Sequence, residues 1–235
     1  MRNFLFKSAV LFLGVFFLSG CDERPQKPAE SSLTVDASAT PEFSQPRRQR
    51  LVRGVYSDLF LNPQQASNID QVAFLRDLFE GLVIYDTKGN IVPAVAENWQ
   101  TQDNKTWQFT LRETAKWSNG EPVTAQQFVA SWQALAKSNS PLKNYLAYMN
   151  LLNAGKVLKQ ELPPEALGIV AENDRTLRLT LDKPTPYLPH MLAHSSLLPQ
   201  YLQPHEGIVS NGAYQVSGQQ GELIHLEQNP HYWAK

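Results

Sequence analysis

The stretch Lys116-Trp117-Ser118-Asn119-Gly120-Glu121-Pro122-Val123-Thr124-Ala125-Gln126-Gln127-Phe128-Val129 carries a turn, a helix start and the first buried residues of a helix in one short run. Asn119-Gly120 marks a tight turn, and Pro122 stiffens the chain as it leaves. Thr124 followed three positions later by Gln127 is a capping-box pattern, so a helix starts at Ala125. Phe128, Val129, Trp132, Leu135 and Ala136 recur at helical spacing and form its buried stripe. Just upstream, Trp107 to Leu111 alternates large apolar residues with Gln108 and Thr110, as a strand with one wet face does. Asp103-Asn104 reverses the chain before it, so Asn98 to Arg112 reads as a hairpin. Trp99, Trp107, Trp117 and Trp132 sit around this hairpin and helix, and their size favours core positions over ligand platforms.

Leu51 to Tyr56 reads as a strand of mixed burial, and Asn62-Pro63 opens a turn. Asn68 caps a helix from Ile69 to Phe79, with Val72, Leu75, Leu78 and Phe79 at helical spacing and Asp70 in its first turn; Gly81 ends it. Val83 to Tyr85 is a short strand, followed by the turn Thr87 to Asn90 and by Ile91 and Val92. Tyr145 to Gln160 reads as a second helical stretch that Gly155 interrupts and Pro163-Pro164 closes. Asn173-Asp174 separates Leu167 to Val170 from Leu177, Leu179 and Leu181, which is a second hairpin. Short strands alternating with helices indicate an α/β or α+β protein, and the chain has no internal repeat.

The N-terminal run is of a different kind. Arg2 and Lys7 flank Phe4 to Phe6, the stretch from Ala9 to Leu18 is almost wholly apolar, and Leu18-Ser19-Gly20-Cys21 ends it. The run is too short to span a membrane and has the shape of a lipoprotein signal peptide over residues 1–20, with Cys21 as the lipidated residue. A diacylglycerol and an amide-linked acyl chain on Cys21 would hold the protein to a membrane, since two chains anchor where one does not. Cys21 is the only cysteine, so no intrachain disulfide is available. Asp22 resembles the signal that retains lipoproteins on the periplasmic face of the inner membrane. Residues 21–50 hold Pro25, Pro28, Pro41 and Pro46 among polar residues and read as a flexible tether.

Composition and side-chain inventory exclude several functions. With 21 basic and 22 acidic side chains the formal net charge is −1, which argues against nucleic acid as a partner; Arg47, Arg48 and Arg50 read as a solvated end of the tether. His190, His194, His205, His225 and His231 show no metal-ligand spacing, and there is no Gly-rich phosphate loop. Ser195-Ser196 beside His194 lacks a nucleophile elbow, so no catalytic residue, metal site or cofactor is expected. Arg112 and Glu113 read as a surface ion pair.

Arg76-Asp77-Leu78-Phe79-Glu80-Gly81-Leu82, Val92 to Trp99, Trp107 to Arg112, Lys116 to Ala125, Phe128 to Trp132, Asn211-Gly212-Ala213-Tyr214 and Leu226 to Trp233 resemble, in order, the signatures of the family 5 bacterial extracellular solute-binding proteins. Within that family the resemblance is to the N-terminal half of the oligopeptide binders of ABC importers, and it covers nearly all of Leu51 to Lys235. It implies a type II periplasmic-binding fold of two lobes. Leu51 to Phe79 and His194 to Lys235 would belong to the first lobe, and Glu80 to Ala193 would form an inserted smaller domain.

The resemblance also implies an oligopeptide ligand held by backbone groups of Ser67 and Ile69, in the manner of an added strand, and an ABC permease as partner. Ser67 stands where the oligopeptide binders have a glutamate. Leu142, next to Pro141, stands where they have a tyrosine, with Tyr145 as a nearby aromatic. The second lobe of the family is not represented in the sequence, so the chain is expected to be truncated, to bind peptides weakly or not at all, and to leave open strand edges near Leu51 and Tyr214. Two further readings stand beside this one: an envelope lipoprotein that serves as a protein-protein interaction module, and an enzyme, for which no converging acids and bases can be assembled.

Overall fold

The residues that decide the fold pack as their pattern demands. The structure, a computed structural model, describes residues 52–55, 59 and 61–234; the expected signal peptide, Cys21 and the tether lie outside the described residues. A single unit runs from Val52 to Lys235. Among the described residues it holds five α-helices and eight strands, beside short 3-10 turns. Helix α1 is Ile69–Leu78, followed by β1 (Val83–Tyr85), β2 (Ile91–Pro93), β3 (Ala96–Thr101) and β4 (Thr106–Leu111). Helices α2 (Ala125–Lys137), α3 (Tyr145–Tyr148) and α4 (Ala154–Leu158) come next, then β5 (Ile169–Asn173), β6 (Thr176–Thr180), α5 (Leu188–Leu192), β7 (Tyr214–Gln220) and β8 (Leu223–Gln228).

Both central hairpins form, and they join in one antiparallel sheet in the order β3-β4-β6-β5. The first spans Ala96 to Leu111 rather than Asn98 to Arg112, with a register shift between Ala96 and Asn98. One face of the sheet is apolar: Phe109, Leu111, Leu177 and Leu179 are fully buried beneath α2, whose Phe128, Trp132 and Leu135 are buried as completely. The other face is a polar ladder in which Gln100 donates to Gln108, Gln108 to Glu172, and Arg178 to Glu172. Trp117 and Trp132 are core residues and Trp107 is nearly so, whereas Trp99 is half-buried at the rim, stacked on Phe109. At the start of α2, Gln127 Oε1 accepts from the Thr124 N–H at 2.8 Å, which is the reach-back half of the capping box, and from Trp117 Nε1 at 2.9 Å.

Several expectations need correction. Residues 52–55 are not a strand: no described strand offers them the N–H and C=O groups that pairing requires. Helix α1 stops at Leu78, before Gly81, because the Leu78 carbonyl is taken by the Gly212 N–H at 2.7 Å and Phe79 turns extended. The stretch Tyr145 to Gln160 is not broken at Gly155. It breaks at Asn150 and Asn153, which adopt left-handed backbone so that Leu151 can bridge to Leu181 and Leu152 can donate to Thr180. Gly155 lies inside α4, and a Cβ there would meet nothing within 4 Å. Gly155→Ala is therefore expected to raise stability by about 0.5–1 kcal/mol, read as a higher urea midpoint at unchanged slope.

Among the described residues β7 and β8 stand as a separate two-stranded sheet. Val216, Ile224 and Leu226 on this hairpin are partly buried against the core, while Tyr214 and Leu223 are exposed. The core is continuous across the unit: Leu75 and Leu78 of α1, Trp132 of α2 and Leu192 and Leu197 of the later chain belong to one buried cluster.

Candidate functional site

Pro63–Gln65 forms a 3-10 turn capped by the Asn62 side chain, and the chain then runs extended into α1. Gln64 is buried, with its amide nitrogen donating to the Ser131 carbonyl of α2 at 2.7 Å. Ser140, at the start of the loop holding Pro141 and Leu142, donates its hydroxyl to the Gln64 carbonyl. The segment before α1 and the loop after α2, distant in sequence, are thus fixed side by side.

Asn68, the N-cap of α1, has extended backbone (φ −148°, ψ 172°), and its Oδ1 accepts from the Gln71 N–H at 3.0 Å. About an extended residue, the preceding carbonyl and the following N–H point to the same side. The Ser67 carbonyl and the Ile69 N–H therefore face one way, and no described residue bonds to either. Ser67, Asn68 and Ile69 are exposed, the Ile69 side chain at 82 %. An N–H and a C=O set two residues apart on exposed extended chain form the edge that one residue of an extended peptide can pair with.

The aromatic near Leu142 is not part of this edge. Tyr145 stacks on His194 with ring centroids 4.0 Å apart and donates its hydroxyl to the Met191 carbonyl. His194 Nδ1 accepts from the Ser196 N–H and lies 2.8 Å from Ser196 Oγ, an arrangement that caps the 3-10 turn Ser195–Leu197. Burial, and then the Arg76 guanidinium, hold the His194 pKa below its ordinary value. Ser196 is fully buried, so this pair is a structural cap and no nucleophile. Among the described residues no group of three potential metal-ligating side chains converges.

The network that sequence reasoning missed centres on Glu80. Its carboxylate accepts from Tyr232 OH at 2.7 Å and from Trp233 Nε1 at 2.5 Å, while its backbone exchanges two hydrogen bonds with the Asn211 side-chain amide. Arg112 does not pair with Glu113. Its Nε donates to the Ala94 carbonyl and its guanidinium lies over the Trp233 ring at 3.8 Å, leaving Glu113 to Arg175. Burial pushes the Glu80 pKa above the usual carboxylate range, against the lowering effect of Trp233, Tyr232 and Arg112. The Tyr232 pKa is raised by its own burial and by Glu80. Asn229 completes the knot by donating to the Gly212 carbonyl at 3.0 Å. The motifs containing Glu80, Asn211 and Tyr232 thus meet in one brace around the buried Glu80 and Asn211, with Tyr232 and Trp233 half-buried at its edge. Their signal was present in the sequence as unexplained polar residues inside apolar motifs.

Comparison with known proteins specifies the class to which this sheet-and-helix unit belongs. The description "Bacterial extracellular solute-binding proteins, family 5 Middle" matches residues 90–235, and the chain belongs to this family. A "Putative binding protein" of Haemophilus influenzae is 57% identical over 230 residues, covering 97% of this chain and 44% of that protein. The periplasmic oligopeptide-binding protein OppA of Salmonella typhimurium is 41% identical over 201 residues, covering 79% of this chain and 37% of that one. Among solved structures, the Escherichia coli murein tripeptide binding protein MppA matches at a TM-score of 0.69 and 36% identity, over 74% of this chain and 36% of that one. Haemophilus influenzae OppA in complex with RPPGFSPFR matches at 0.69 and 35%, with the same coverage. The chain spans less than half the length of these relatives. The family is one of solute-binding proteins, and no described helix is long and apolar enough to cross a membrane.

Proposed function

We propose that the chain is a membrane-anchored lipoprotein related to the peptide-binding component of an ABC importer, and that it recognises the backbone of an extended oligopeptide through the Ser67 carbonyl and the Ile69 N–H. The observation that carries this is the pair of uncommitted backbone groups flanking extended Asn68. Backbone recognition suits a ligand of variable sequence, because every peptide presents the same amides. In this reading residues 51–79 and 194–235 belong to one lobe, residues 80–193 are a domain inserted in it, and lipid on Cys21 holds the chain to the periplasmic face of the inner membrane, within reach of a permease.

The residues described supply one wall of a binding site. Among the described residues two shallow hollows lie elsewhere: about 330 Å3 on the polar sheet face beside Gln108 and Arg178, and about 120 Å3 between Arg76, Ile84, Tyr85 and Ala193. Two hydrogen bonds without enclosure leave little surplus over the cost of ordering the ligand, so the 235-residue chain by itself holds peptides with a Kd of about 1 mM or weaker. Titration with trialanine, followed by amide chemical shifts, is expected to move Ile69 and its neighbours with half-saturation in that range. Saturation at low micromolar peptide would overturn the weak-binding reading, and shifts confined to other surfaces would overturn the site. The intact mass of detergent-extracted protein tests the anchor: a mass showing Cys21 unprocessed and without acyl chains removes it.

A further inference from the structure

We infer that Gln71 is a positioning residue for this edge: its buried side-chain oxygen holds the Ser67 N–H while its own N–H holds the Asn68 side chain, and so presets the extended Asn68 backbone that sets the Ser67 carbonyl and the Ile69 N–H on one side. The inference rests on the peptide reading above. Gln71 is only 2% exposed although it lies in the first turn of α1. Its Oε1 accepts from the Ser67 N–H at 2.8 Å and from the Ser67 hydroxyl at 3.1 Å, while its own N–H donates to Asn68 Oδ1 at 3.0 Å. The two bonds run in opposite directions between the helix turn and the residues before it, as in a capping box whose returning arm reaches one residue further out.

Three consequences follow for recognition. The Ser67 N–H is already taken by Gln71 Oε1, so the backbone groups this edge offers a ligand are the Ser67 carbonyl and the Ile69 N–H. The serine hydroxyl is turned inward onto Gln71 and does not compete for ligand groups. Because the extended conformation is fixed on folding, its ordering cost does not fall on binding.

The test uses the intact chain and its Gln71→Leu and Gln71→Glu variants, the first keeping shape without an acceptor and the second keeping the acceptor. Amide hydrogen exchange at Ser67 is expected to be slow in the wild type, about tenfold faster in Gln71→Leu and restored in Gln71→Glu, with the far-UV spectrum unchanged. The trialanine concentration that half-shifts the Ile69 amide is expected to rise roughly tenfold in Gln71→Leu and to return to within about twofold in Gln71→Glu. Equal Ser67 exchange in wild type and Gln71→Leu would overturn the inference. So would an Ile69 response identical in both, which leaves the peptide reading standing. A wild-type Ile69 signal that trialanine never moves overturns the peptide reading and the positioning role together.

Discussion

Gly212→Ala is expected to cost about 3 kcal/mol of stability, the upper end of what one added methyl does in a packed site. A Cβ at Gly212 would lie 2.6 Å from the Leu78 carbonyl carbon, 2.8 Å from its oxygen and 2.8 Å from the Phe79 nitrogen. All three are backbone atoms, so no side chain can swing away to relieve the clash. The same approach places the Gly212 N–H on the Leu78 carbonyl at 2.7 Å, which is what stops α1. Moving the two segments apart to admit a methyl therefore breaks a buried hydrogen bond and loosens the Asn211 amide from Glu80. The measurement is urea unfolding: the midpoint should fall sharply at unchanged slope. Gly218→Ala, where a Cβ meets nothing within 4 Å, is the comparison and should stay within about 0.5 kcal/mol of wild type. A Gly212→Ala loss below about 1 kcal/mol would mean that the contact is looser than these distances require.

What was legible in the sequence was what local chemistry dictates. The α2 stripe, the Asn68 cap, the Asn119-Gly120 turn and both hairpins of the central sheet depend on neighbouring residues, and all are present. The misreadings share one cause, a distant partner that overrides a local signal. Gly155 is a helix breaker by propensity, yet it stays helical, and the chain breaks instead where Leu151 must reach Leu181. Arg112 has an acidic neighbour in sequence, but the Trp233 ring and the Ala94 carbonyl, which no periodicity announces, take it instead. Residues 52–55 have the apolar content of a strand and lack, among the described residues, a strand to pair with.

The candidate site divides along the same line. Ser67 and Ile69 follow only from resemblance to a family, since nothing in their side chains marks them; the structure shows Asn68 extended between them and no bond from a described residue to the Ser67 carbonyl or the Ile69 N–H. Gln71 could not be read from sequence because a polar residue in a first helical turn is ordinarily solvated, and only its burial shows that it reaches back to Ser67. Glu80 sits in a motif whose local sequence gives it no role, since its partners Tyr232 and Trp233 lie 152 and 153 residues away.

Glu80→Ala is expected to cost about 1–3 kcal/mol, because it takes the acceptor away from the half-buried Tyr232 hydroxyl and Trp233 indole N–H, which water can satisfy only in part. Glu80→Gln keeps one acceptor oxygen but turns an NH2 group toward a donor, so its cost falls between wild type and alanine. The glutamine variant also isolates the charge. Burial raises the folded-state pKa of Glu80 above its unfolded value, so the folded chain binds this proton more tightly than the unfolded chain. The resulting stability is fully present below the unfolded carboxylate pKa and is lost as pH rises through the folded value. The advantage of wild type over Glu80→Gln should therefore be greatest in acid and shrink toward neutral pH, read from urea unfolding of both proteins between about pH 4 and 8. The charged groups facing the carboxylate set the size of this dependence: Arg112, stacked on Trp233, draws the pKa down, and desolvation outweighs it. An advantage that grows with pH would mean that the Tyr232, Trp233 and Arg112 contacts outweigh burial, making Glu80 a stabilised carboxylate instead of a reluctantly charged one.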